Sequence, residues 1–131
     1  MKNEIKIGDK DVCLVANALT PFAYTEIFKK DFLRVLMSFK SLGGKDPSEY
    51  TDDDLGFVVS RSSAFAEIAF VMSKQGEGKT AAQLINYTRA DFLEWLASFE
   101  DTNAFMSGEV LGAILATWQG QATGTAESKN A

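Results

Sequence analysis

The stretch Ser73-Lys-Gln-Gly-Glu-Gly-Lys-Thr80 closes with the Gly-Lys-Thr that ends a nucleotide-binding P-loop. Such a loop needs G-x-x-x-x-G-K-[ST]: its glycines let successive backbone N–H groups cradle phosphate, while the lysine and the hydroxyl reach the terminal phosphates and Mg²⁺. Gly78, Lys79 and Thr80 satisfy the end of the pattern, but Ser73 stands where the first glycine belongs. The preceding run, SSAFAEIAFVMSK, is too long and too alanine-rich for the buried strand from which a P-loop springs. The stretch therefore reads as a connection between helices, with Thr80 capping the second and Lys79 solvated.

KDPSEYTDDD places Asp46, Ser48, Tyr50 and Asp52 at alternate positions, as a calcium loop does. An EF-hand loop also needs glycine at its sixth position and a bidentate glutamate at its twelfth, and counted from Asp46 those places hold Thr51 and Phe57. Thr51 reads better as a helix N-cap, with Asp52, Asp53 and Asp54 favoured by the positive end of the helix dipole. Glu94, Glu100 and Asp101 are further carboxylates near helix ends, where caps and solubility account for such clusters. Cys13 is the only cysteine and histidine is absent, which removes intrachain disulfides, Cys/His zinc sites and histidine-based triads together. No catalytic, metal or cofactor-binding residue is assigned, and a non-enzymatic protein without a cofactor is expected.

The chain of 131 residues is long enough for one domain with a core of its own. Its formal charge of −5 repels phosphate backbones and anionic membranes. The densest basic group, Lys29, Lys30 and Arg34, is interrupted by Asp31 and preceded by Glu26. Neither nucleic acid nor membrane is an expected partner. MKNEIKIGDKD lacks the apolar region of a signal peptide, and no run reaches the roughly 18 apolar residues of a membrane span, so a cytoplasmic location is expected.

The elements that must position any site follow from periodicity. EIKIGDKDVCLVA flanks Gly8-Asp9-Lys10 with apolar or alternating runs, predicting a β-hairpin over 4–16 with a connection of three or four residues and with Ile5 and Ile7 on one face. Thr20-Pro21 predicts a helix start, and Tyr24, Ile27, Phe28, Phe32, Val35, Leu36 and Phe39 recur at helical steps, with a break near Lys30-Asp31 and a stop at Leu42-Gly43-Gly44. From Leu55 to about Met72 the pattern is apolar around most of the circumference, with Ser60, Ser63, Glu67 and Lys74 forming one narrow polar stripe; this is the expected central helix. Val58, Phe65, Ile68, Ala69 and Met72 are its expected core. Thr88 to Asp91 has capping-box spacing ahead of the stripe Phe92, Trp95, Leu96 and Phe99. Asn103 or Ser107 opens a last helix that carries Val110, Leu111, Ile114, Leu115 and Trp118.

The expected fold is mainly α, an N-terminal β-hairpin packed on a helical domain of five or six helices. Residues 1–119 form that single domain. Residues 120–131, which hold no apolar residue larger than alanine, form a flexible tail.

The order of the hairpin EIKIGDKDVCLVA, the helix opening TPFAYTEIFKKDFL, the alanine-rich FAEIAFVMSK, YTRADFLEWLASF and a last helix ending ATWQGQ before a small polar tail resembles the tail assembly chaperones of long-tailed siphophages and prophages. The resemblance implies a protein of the host cytoplasm that binds the long, largely helical tape measure protein and keeps its apolar segments soluble. It also implies recruitment of tail tube protein through a frameshift-extended form, and Ser128-Lys129-Asn130 can be encoded by a slippery heptamer. Phe70, flanking the polar stripe of the central helix, and the outer side of the last helix are the expected partner contacts. The exposed hairpin edge favours a homo-oligomer. The rival reading is a helical adaptor or regulator that binds some other protein.

Overall fold

The computed structural model describes residues 2–37, 47–54 and 62–120. Val58, the Leu42-Gly43-Gly44 stop and the tail beyond residue 120 lie outside them.

Strands β1 (Lys2–Ile7) and β2 (Lys10–Val15) pair antiparallel, with Ile7 opposite Lys10. The connection is thus the two residues Gly8 and Asp9, tighter than the expected three or four. Gly8 has φ +63 whereas Asp9 keeps a negative φ, the sign pattern of a II′ turn, whose twist matches that of paired strands. Alternation buries Asn3, Ile7, Val12 and Leu14 on one face, with Ile5 half-buried among them. Lys2, Glu4, Lys6 and Asp11 are exposed.

Helix α1 (Leu19–Phe28) begins before the expected Thr20-Pro21 start, with Ala18 in the N-cap position. Asn17 Oδ1 accepts the Leu19 N–H at 2.9 Å, and Thr20 Oγ1 accepts the Asn17 N–H at 3.0 Å. Thr20 is buried in the first turn because its hydroxyl donates to Gln75 Oε1 at 2.6 Å, a long-range bond that no local pattern announces. The helix ends at Lys29, which takes a left-handed φ of 58, and α2 (Phe32–Met37) follows, so the predicted break is real. A 3₁₀ turn spans Pro47–Glu49. Thr51 then caps as expected: its Oγ1 accepts the Asp54 N–H at 3.2 Å and Asp54 Oδ2 accepts the Thr51 N–H at 3.0 Å.

Helix α3 (Ser62–Gly76) is central, with Phe65, Ile68, Ala69 and Met72 all buried as predicted. The short α4 (Ala81–Ile85) and α5 (Arg89–Ala97) open on reciprocal capping boxes, Thr80 with Gln83 and Thr88 with Asp91. Helix α6 (Gly108–Trp118) takes Ser107 as its cap, which decides between the two candidates. The hairpin rests on α3 and α6, α1 packs on α3 and α4, and α5 lies beside α3. A Cβ on Gly76 would stand 2.0 Å from the carbonyl oxygen of Cys13, so only glycine lets the last turn of α3 lie against β2. The architecture is a β-hairpin on a helical domain. Among the described residues no helix is long and apolar enough to cross a membrane.

Candidate functional site

The polar stripe predicted for the central helix is not a solvated face at Glu67. Its side chain is fully buried. Its oxygens accept the Tyr24 hydroxyl at 2.8 Å, the Lys30 ammonium at 3.0 and 3.1 Å, and the Arg89 guanidinium at 3.2 Å. A buried carboxylate is tolerable only when paired and hydrogen-bonded, and here three donors from three segments converge on it. Burial, reinforced by the bond and the negative charge of Glu67, raises the Tyr24 phenol well above its ordinary range. The node joins the α1 region and α5 to α3. Its two cations remain half in water, with side chains 47% and 59% exposed.

Phe70, expected at a partner surface, is a correction: it is fully buried. Its ring meets Phe28, Tyr87, Phe92 and Trp95 in edge-on contacts. The flank of the stripe that it occupies is covered by α5, so Phe70 holds helices together and is not available to a partner. On α6, Glu109 is exposed, while Gly112, Ala113, Ala116 and Trp118 are half-buried.

SKQGEGKT is a helix-to-helix connection, as predicted. Residues 73–76 are the last turn of α3, and Gly78, with φ +85, turns the chain toward the Thr80 cap. A helix precedes it where a P-loop has a strand, and the N–H groups of Glu77, Gly78 and Lys79 bond the carbonyls of Ser73, Gln75 and Lys74. Lys79 is half-buried, less solvated than expected. Lys74 pairs with Glu77 at 3.3 Å and lies over the rings of Phe70 and Tyr87. Cys13 is a free thiol, half-buried against Gly76. Glu94, Glu100 and Asp101 are exposed, and among the described residues no group of three or more His, Cys, Asp or Glu could hold a metal ion.

The most distinctive surface is a groove of about 360 Å³ between α3, α5 and the segment 99–106. Ala66, Phe92, Leu96, Phe99 and Phe105 supply its apolar walls, and Arg89 and Asp101 its polar margin. Trp95, Phe99 and Phe105 pack ring against ring behind it, which fixes the shape of that wall. Leu93 and Met106 also line the groove and are 50% and 41% exposed. Sequence reasoning missed both. The available signal was that Leu93 is apolar yet lies off the stripe of Phe92, Trp95, Leu96 and Phe99.

An apolar groove without convergent nucleophile, base or metal ligands is suited to receiving hydrocarbon. No protein-family model matches the chain, and comparison with curated proteins and with solved structures likewise yields no match.

Proposed function

We propose that this chain is a tail assembly chaperone of the siphophage or prophage type, acting in the host cytoplasm without catalysis or cofactor, and that it holds apolar helical segments of a tape measure protein in the α5 groove. The observation that carries the reading is the groove itself, with Leu93 and Met106 left in water at its margin. An amphipathic helix enters such a groove with anchors at i, i+3 or i+4 and i+7. Methionine at the contact adapts to anchors of different shape, which suits a client made of many dissimilar helical segments. Each exposed apolar side chain that becomes fully covered contributes up to about 1.5–3 kcal/mol.

Charge supports the same occupant. Glu94, Glu100 and Asp101 stand exposed on or beside α5, favouring a helix with lysine or arginine next to its apolar face. The chain's net charge of −5 keeps a chaperone–client complex soluble once the apolar segments are covered. Recruitment of tail tube protein through a frameshift-extended form completes the proposed role.

Coexpression with the tape measure protein encoded beside the same gene tests the reading. The soluble yield of that protein should rise, and the Leu93→Asp/Met106→Asp double variant should abolish the gain while remaining folded. No gain with the natural chain overturns the chaperone role in favour of an adaptor for another protein. A gain that survives the double variant removes the groove from it.

A further inference from the structure

Among the described residues the hairpin forms a two-stranded sheet. Because Ile7 and Lys10 flank a two-residue turn, they form a hydrogen-bonded pair, and so in alternation do Ile5 with Val12 and Asn3 with Leu14. The N–H and C=O groups of Lys2, Glu4 and Lys6 therefore point away from β2. Among the described residues no other element bonds to the backbone of these three. The edge carries no proline and no bulge, the devices that block strand addition.

Charged side chains are another such device, and their arrangement decides whether they guard this edge or direct it. A guard repels its own copy. Antiparallel pairing of β1 with itself keeps the buried and exposed faces distinct only in registers that place even-numbered residues opposite even-numbered ones. Centred on Glu4, the pairing sets Glu4 against Glu4 and Lys2 against Lys6, which is repulsive. Centred on Ile5, it sets Glu4 of each copy against Lys6 of the other and closes the half-buried Ile5 against its own equivalent. Lys6 already holds Asp11 across the hairpin at 3.2 Å. The row then alternates in charge over three strands, from Asp11 to Lys6 to Glu4 of the second copy, and ends at Cys13 on the fourth.

The geometry points to the free edge of β1 as a homodimer interface, in which two hairpins join across a twofold axis at Ile5 into a four-stranded antiparallel sheet. Glu4 and Lys6 are its outward-bonding pairs, exchanging backbone hydrogen bonds with the second copy while their side chains meet as opposite charges. The interface is isologous and closed, so it ends at two copies. It is also small, so the dimer is weak and concentration-dependent. This interface does not depend on the groove or its client.

Sedimentation equilibrium of the whole chain across a wide concentration range tests it, with circular dichroism as the check on folding. The natural chain should show a monomer–dimer equilibrium. Glu4→Lys and Lys6→Glu, both exposed, should each weaken the dimer about tenfold or more by placing like charges opposite one another twice. The double variant Glu4→Lys/Lys6→Glu should restore it, because each pair between the two copies is again opposite in sign. Glu4→Pro removes only the edge N–H and should abolish the dimer with the hairpin intact. A monomer at all concentrations overturns the interface, as does a dimer indifferent to the single changes or one that the double variant fails to restore.

Discussion

Around α3 and α5 the chain buries a carboxylate and leaves hydrocarbon in water. Glu67 is fully buried, whereas Leu93 and Met106 are 50% and 41% exposed. Both arrangements depart from what polarity alone dictates, and for opposite reasons. Glu67 is inside because donors from Tyr24, Lys30 and Arg89 replace its water. Leu93 and Met106 are outside because no element of the described chain covers them. Arg89 belongs to both regions, pairing with Glu67 and lining the groove. A helix laid in the groove would remove water from this guanidinium and strengthen its bond to the node. The lesson is that burial follows from available partners as much as from side-chain type.

The largest effect expected is at the residue that sequence assigned to a partner. Phe70→Ala should cost about 3–5 kcal/mol in chemical denaturation, since its ring is fully buried among four others. A loss of client binding without a loss of stability would return Phe70 to the surface. The node should then show an asymmetry. Lys30→Met with Arg89→Met leaves the buried carboxylate without its cations and should destabilise by about 3–5 kcal/mol. Glu67→Gln leaves two half-exposed cations that water can receive, and should cost only about 1–3 kcal/mol. Equal costs would mean that Glu67 is not enclosed.

Tyr24→Phe should cost about 1–2 kcal/mol near neutral pH by removing one donor from Glu67. It also has a pH signature. The folded-state phenol is raised above the ordinary value of 10.0, so its contribution is fully present below that value. Above it the unfolded chain can ionise Tyr24 and the folded chain cannot, so stability falls as pH rises. Denaturation curves measured on both sides of pH 10 should show a shallower alkaline decline for Tyr24→Phe than for the natural chain. The smallest effect on the fold belongs to the groove. Leu93→Asp and Met106→Asp should each change stability by no more than about 0.5 kcal/mol. A larger loss would make them core residues and the groove a packing feature.

Local signals were legible. The hairpin turn, the break after Phe28 and the caps at Thr51, Thr80 and Thr88 each depend on residues within four positions of one another. The core of α3 was legible because Phe65, Ile68, Ala69 and Met72 recur at helical steps. The start of α1 was misplaced where a distant bond intervened, since Thr20 is held by Gln75, 55 positions away. Glu67 was misread for the same reason, because Lys30 and Arg89 lie 37 and 22 positions from it. A glutamate on the polar stripe of a largely apolar helix looks the same whether it meets water or two cations.

By itself the sequence determined a hairpin followed by capped helices, the absence of histidine, a net charge of −5 and the failure of SKQGEGKT as a P-loop. Composition, turn geometry and periodicity act over a few residues and need no knowledge of the rest. Only the tertiary structure decided that Glu67 and Phe70 are interior, that Gly76 must lie bare against Cys13, and that α5 and the segment 99–106 leave a groove open beside α3. A side chain's surroundings are set by elements remote in the chain, and the free energy of burying it depends on which donors and rings those elements bring.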